Sequence, residues 1–280
     1  PEAKTALKKL KTRYENVKPN EADVIVALGG DGTVLKSLHD FLEKKIPIYG
    51  MNKGLVGFLM NRYSEKGLQK RLNESIPFKL YPLKIKSFDA KGNCKEGLAF
   101  NDVSMIRNSP RIAKIKVDVN NKTRIDEFLG DGCVISTPAG SSAYNLSLRG
   151  PVIPVGAKVL ALTPISPYRP RRWRGALLNN NAKITLHCLD YKSRPVRAEA
   201  DFLEFNNIIK LEVELDKKRI RPSKSEVDCL LSKNDKSKKI LNWKPKYSGR
   251  KGFYKALAIT IEWFKDPKNL KLYKSDIYNV

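Results

Sequence analysis

The hydrophobic pattern changes its period near residue 76. Before that point the run Val24-Ile25-Val26-Ala27-Leu28 reads as a buried strand, and residues 34–42 place apolar side chains at helical spacing. A polar helix and linker over residues 1–20 precede them. Strands and helices of this layer continue to residue 64, and a helical stretch follows over 66–72. From Phe78 onward the pattern becomes a series of short runs, over 80–88, 98–106, 113–119, 132–136, 158–162, 182–189, 195–200 and 208–215. Several alternate apolar and polar residues, as half-buried strands do. The pattern predicts an α/β layer over 1–75, a β-sandwich over 76–215 and a mostly helical tail over 216–280.

The strand over 24–28 runs directly into Gly29-Gly30-Asp31-Gly32-Thr33, and the helix follows. Glycines allow close approach of the backbone to a bulky anion, and amides at a helix start can receive a phosphate. The single carboxylate suits work on a hydroxyl or a metal. Gly29-Gly30-Asp31-Gly32 is also compatible with a plain tight turn. Neither the G-x-G-x-x-G spacing nor the Lys-Ser/Thr ending of a Walker loop is present.

A second segment, residues 130–147, joins a short β-like run to a small-residue loop, Thr137-Pro138-Ala139-Gly140-Ser141-Ser142-Ala143-Tyr144-Asn145-Leu146-Ser147. Its hydroxyls, amides and one tyrosine suit a polar ligand with an aromatic ring. Read alone, it is equally a Ser/Thr-rich connection between strands.

Together these segments resemble the NAD kinase family, most closely its alphaproteobacterial members. The strand and GGDGT turn, the run 46–59, Phe100-Asn101-Asp102-Val103, residues 130–147, Leu162-Thr163-Pro164-Ile165-Ser166-Pro167 and Ala198-Glu199-Ala200-Asp201 follow the family order over about residues 1–215. The resemblance implies phosphoryl transfer from ATP, or polyphosphate, to the 2′-hydroxyl of the adenosine ribose of NAD. Asp31 would be the catalytic base. Gly29, Gly30, Gly32 and Thr33 would shape the phosphate side, with Gly32 also touching NAD. Phe58, Asn101, Asp102, Ser142, Ala143, Tyr144, Asn145, Leu146 and Ser147 would hold NAD. Asp131 would reach the nicotinamide end from a neighbouring subunit. Lys114 is a further candidate and also reads as a solvated strand lysine. Mg²⁺ or another divalent cation would bridge phosphates, with no carboxylate cage of the protein's own. Asp102 stands where the family usually has glutamate, and Ser142 where it has threonine. Assembly into a homo-oligomer through the β domain is also implied.

At the two ends the family pattern fails. Its first strand is expected to be missing, which would leave an apolar strand edge unpaired. After residue 215 its closing strand does not follow. Residues 216–280 instead resemble the C-terminal end of extended short-chain dehydrogenases, the nucleotide-sugar epimerases and dehydratases, which suggests two fused truncated segments. Tyr247 and Lys251 have the Y-x-x-x-K spacing of that superfamily. Pro245, Gly249 and Gly252 argue against a catalytic helix there. Such a chain could also be an impaired remnant that only binds nucleotides or nucleic acid.

Composition narrows the picture further. The chain of 280 residues carries a net charge of +25, with 36 basic and 22 acidic side chains in 1–215 and 18 and 7 in 216–280. That balance suits anionic substrates. Nucleic acid is a less favoured partner, because the lysines are spread and no nucleic-acid motif is present. Arg169-Pro170-Arg171-Arg172-Trp173-Arg174 is the one dense basic cluster. No apolar run approaches the ~20 residues that span a membrane, and no signal peptide opens the chain. Cys94, Cys133, Cys188 and Cys229 lack C-x-x-C spacing, so a cytoplasmic, reducing location is expected. With only His39 and His187, a histidine metal site is not expected.

Overall fold

The structure is a computed structural model that describes residues 2–19, 21–44, 46–54, 57–216, 247 and 249–266. The apolar run 24–28 becomes strand β1, Ile25–Gly29, which pairs in parallel with β2, Ile48–Asn52. Helix α1, Glu2–Arg13, lays Leu10 against this two-stranded sheet, and α3, Leu68–Glu74, adds Leu68. Tyr49 and Met51 of β2 complete this small core. Burying each such side chain contributes about 1.5–3 kcal/mol. Helix α2, Asp31–Asp40, buries Val34 and Leu35. It begins three residues earlier than the apolar period alone predicts, so Asp31 lies in its first turn.

The remaining strands are β3 (Leu83–Asp89), β4 (Cys94–Ala99), β5 (Asp102–Arg107), β6 (Ala113–Val119), β7 (Lys122–Gly130), β8 (Gly132–Ser136), β9 (Val159–Ile165), β10 (Ala176–Asn179), β11 (Ile184–Cys188), β12 (Val196–Ala200) and β13 (Leu203–Leu215). They form one hydrogen-bonded sheet of eleven strands, in the order β10-β9-β8-β5-β12-β13-β11-β6-β7, with β3 and β4 branching from β13. The first half of β13 pairs with β12, and its second half pairs with both β11 and β3. This divergence folds the sheet over itself, so Leu83, Met105, Ile115, Phe128, Ile135, Leu160, Leu186 and Leu211 meet in one core. The result is the expected sandwich.

Three differences from the sequence pattern have physical causes. The run 98–106 is two strands, because the chain leaves the ladder at Phe100 and Asn101 to donate its amides elsewhere. Strand β7 carries Lys122, Arg124, Asp126 and Glu127 and, as an edge strand, is largely exposed on both faces up to Glu127, so that stretch shows no apolar alternation before Phe128 enters the core. Strand β10, at the opposite edge, is short and mostly exposed.

The described part of the tail is α5, Gly249–Lys265. Gly249 and Gly252 lie inside this helix rather than preventing it, while Tyr247 precedes it. Tyr247 and Lys251 therefore do not occupy one helix. The Arg219-Ile220-Arg221-Pro222 run and the rest of the epimerase-like stretch lie outside the described residues.

Candidate functional site

The turn after β1 delivers Asp31 to the head of α2, and two main-chain amides then fix its carboxylate. Phe58 N–H donates to Oδ2 at 2.8 Å, and Leu59 N–H donates to Oδ1 at 2.9 Å. These amides come from the loop after β2, which is tied to the turn by a hydrogen bond from Lys53 N–H to the Gly29 carbonyl at 2.7 Å. Gly57 makes the approach possible. A Cβ there would lie 2.3 Å from Met60 Cγ and 3.2 Å from Asp31 Oδ1. Phe58 itself is exposed, with its ring free to pack on a ligand. Gly32 has open space around it, whereas Gly29 lies hard against Thr33.

A second group forms on the β domain. Phe100, Asn101 and Asp102 lie between β4 and β5 and donate their amides to the carboxylate of Asp201, at 2.6, 3.1 and 3.4 Å. Asp201 and Phe202 form the two-residue turn between β12 and β13. The left-handed φ of +49° at Asp201 is one that an Asp side chain tolerates. The loop over 137–147 packs on the same segment. Thr137 Oγ1 donates to the Phe100 carbonyl at 2.6 Å, and a Cβ at Gly140 would lie 2.1 Å from the Asn101 oxygen. The Tyr144 amide donates to the Asp102 carboxylate. Burial, with Asp201 and Glu199 nearby, pushes the Asp102 carboxyl up to about 7 against that amide. The Tyr144 hydroxyl, half-exposed, is also pushed up, by burial first and then by Glu199, Asp102 and Asp131. Asn101, Asp102, Tyr144 and Asp131 therefore belong to one neighbourhood.

The loop is stiffened from behind. Ser141 Oγ donates to the Pro138 carbonyl at 2.7 Å and accepts Ile153 N–H at 2.9 Å. Asn145, expected along the ligand wall, is a correction. Its side chain is fully buried and donates to the carbonyls of Ser141 and Pro151, while Thr163 Oγ1 donates to its Oδ1 at 2.6 Å. A small polar residue in a ligand-type loop does not declare in sequence which way it points. Ser142 ends the 3₁₀ turn Ala139–Ser142, Ala143 links it to the single turn α4, Tyr144–Ser147, which carries Leu146, and Tyr144 and Leu146 are at least a third exposed.

The outlying candidates have protein partners. Arg107 Nε donates to Asp131 Oδ1 at 2.6 Å, both groups about one-third exposed. Lys114 lies 3.6 Å from Glu127 across the edge ladder, as a solvated strand lysine does. Among the described residues no three His, Cys, Asp or Glu side chains are gathered to hold a metal ion. Cys94, Cys133 and Cys188 are free thiols, and burial pushes Cys133 far up.

Sequence reasoning missed the tie between the two groups. His39, near the end of α2, donates from Nε2 to Asp201 Oδ2 at 2.7 Å, with its ring edge-on to Phe100 and Phe202. Helix α2 thus joins the Asp31 turn to the segment bearing Asn101 and Asp102. A lone histidine at a helix end gives no sequence signal of such a partner.

A carboxylate on a glycine turn, joined by one helix to a small-hydroxyl loop on a β-sandwich, describes a phosphotransferase acting on a small hydroxyl-bearing ligand. Family models for the ATP-NAD kinase N-terminal domain and the ATP-NAD kinase C-terminal domain match residues 1–76 and 100–198. The NAD kinase of Caulobacter vibrioides is 48% identical over 217 residues, which are 78% of this chain and 84% of that protein. That of Rhizobium meliloti is 46% identical over 212 residues, 76% of this chain and 82% of that one. The fold is also that of the yeast NADH kinase complexed with NADH, at a TM-score of 0.63 and 24% identity over 72% of this chain and 62% of that one. An NAD kinase from Archaeoglobus fulgidus in complex with ATP gives 0.59 and 22%, over 76% of this chain and 86% of that one. The chain belongs to the NAD kinase family, and its activity is ATP-dependent phosphorylation of NAD. The dehydrogenase-like resemblance of residues 216–280 has no counterpart among these matches.

Proposed function

We propose that Asp31 is the general base of this reaction and that Asn101, Asp102 and the loop over 142–147 present the adenosine ribose to it. The observation that carries the reading is the doubly held carboxylate: Phe58 and Leu59 amides fix both oxygens, leaving each a free lone pair in a set direction. In the step itself the ribose 2′-oxygen forms a bond to the γ-phosphorus of ATP. The bond from that phosphorus to the β–γ bridging oxygen breaks, ADP departs, and the hydroxyl proton passes to Asp31. Positioning supplies most of the acceleration in such transfers.

The remaining assignments belong to the same proposal. Gly29, Gly30, Gly32 and Thr33 flank the phosphates, and Phe58 covers the ligand. Asp102 and Tyr144 take the ribose side, Ser142, Ala143, Leu146 and Ser147 line it, and Asn145 supports the wall from behind. Asp131 reaches the nicotinamide end of a neighbouring subunit in a homo-oligomer built through the β domain, which size-exclusion chromatography checks directly. Lys114 stays a solvated lysine of the edge ladder, paired with Glu127, rather than a ligand contact. Mg²⁺ or another divalent cation enters with the nucleotide and takes its ligands from phosphate oxygens. Domain limits at 75/76 and 215/216, a cytoplasmic location and a substrate-lobe origin for 216–280 complete it. Among the described residues no helix is long and apolar enough to cross a membrane.

Asp31→Asn tests the central assignment. It should lower NADP formation about 10²- to 10⁴-fold, the contribution of a general base, while NAD affinity stays within about threefold. A variant that turns over at the wild-type rate removes Asp31 from this role.

A further inference from the structure

We infer that His39 is a positioning residue, whose bond to Asp201 sets the distance between the base and the ribose-binding segment. The inference rests on the NAD kinase reading above and adds a residue that touches neither substrate. Asp31 and His39 stand at opposite ends of α2, eight residues or about 12 Å apart along the axis. The helix is a rigid spacer between them. At its far end His39 meets a carboxylate whose side chain is wholly inaccessible to solvent. An isolated buried carboxylate is costly, so Asp201 needs all its donors.

Those donors fall on two parts of the molecule. Oδ2 takes the His39 Nε2–H and the Phe100 amide, and Oδ1 takes the amides of Asn101 and Asp102. One carboxylate therefore fixes the helix that carries the base and the main chain that carries the ribose contacts. The His39 ring, edge-on to Phe100 at 5.2 Å and to Phe202 at 5.6 Å between centroids, is held in the rotamer that makes the bond. Among the described residues no other side chain of α2 bonds this turn, so loss of the imidazole lets the base drift relative to the hydroxyl. Misplacement by about 1 Å costs up to about 10²-fold in rate.

The experiment pairs His39→Ala with His39→Gln, whose Nε2 reaches nearly the same point and keeps a donor. Full-length protein is assayed for NADP formation, and amide hydrogen exchange is followed at residues 100–102. We expect His39→Ala to lose 10- to 100-fold in kcat, to keep the KM for ATP within about threefold, and to speed exchange at Phe100 and Asn101. His39→Gln should return to within about threefold of wild type in both readouts. Wild-type kcat in His39→Ala, or a glutamine variant as slow as the alanine one, overturns the inference. If wild type itself forms no NADP, the kinase reading fails separately. The exchange measurement then decides alone: unchanged exchange at 100–102 in His39→Ala overturns the tie, and faster exchange reversed by glutamine sustains it.

Discussion

The two halves of the site are held by different means. The Asp31 turn sits on a two-stranded sheet with four buried side chains in its core, and main-chain amides fix its carboxylate. The 137–147 loop sits on an eleven-stranded sheet with a large continuous core, and buried side chains fix it: Thr137, Ser141, Asn145 and Thr163 are all almost inaccessible and all hydrogen-bonded. The proposed ligand wall is thus part of the fold, whereas Asp31, the proposed base, is attached to a lightly packed layer. Damage to the wall should therefore appear as lost stability, and damage around the base as lost turnover with little loss of stability.

The largest effect should come from Asn145→Ala. It strands the Thr163 hydroxyl and two carbonyls in the interior, at about 1–3 kcal/mol for each unpaired group. A loss of the order of 5 kcal/mol is expected by denaturant unfolding. A loss below about 1 kcal/mol would mean that the wall is not built by this network.

Asp102→Asn should act next, through pH. The folded carboxyl is held up at about 7, against 3.8 ordinarily, so the folded protein binds this proton more tightly than the unfolded chain does. The associated stability is complete below about pH 4 and is lost as the pH rises through 7. Asparagine does not titrate, so the variant should gain about 2–3 kcal/mol on wild type between pH 5 and pH 8. Parallel unfolding free energies across that range would contradict the assignment. Ribose hydroxyls donating to the ionised carboxylate should also make wild-type NAD binding release protons near pH 6, which calorimetry in buffers of different ionisation heat detects.

The same contrast explains what could be read from the sequence. The Asp31 turn was legible because its chemistry is local: strand, glycines, carboxylate and helix follow one another within about a dozen residues. Most of the sandwich was legible because one face of each inner strand is buried, as in the alternating β6 and β11. The edges β7 and β10 were not, since an edge strand has no obligatory apolar face. The break at Phe100 was hidden in a continuous apolar run, because the group that causes it, Asp201, lies 101 residues further on. Asn145 and His39 were misread or missed for the same reason. Their partners, Thr163 and Asp201, are distant in sequence and near only in the fold.

A smaller, purely kinetic effect is expected from Gly57→Ala. The new methyl meets Met60 Cγ at 2.3 Å and Met60 Cβ at 2.8 Å, so residues 57–60 must shift, and with them the two amides that aim Asp31. We expect a 10- to 100-fold fall in kcat, about 1.4–2.7 kcal/mol in barrier, with Tm changed by less than about 3 °C. A large fall in Tm with wild-type kcat per folded molecule would reverse the contrast between the two halves.

The smallest effect should be that of Lys114→Ala. Its ammonium group lies 3.6 Å from Glu127 on the edge ladder, both side chains are at least one-third exposed, and such pairs contribute about 0–1 kcal/mol. If Lys114 only decorates the edge, the variant should unfold within 1 kcal/mol of wild type and keep its KM for NAD within about twofold. A tenfold rise in that KM at unchanged stability would instead place a ligand contact on β6. It would extend the site beyond the loop over 137–147, and the wall would then be a surface of the whole β domain rather than of one loop and its supports.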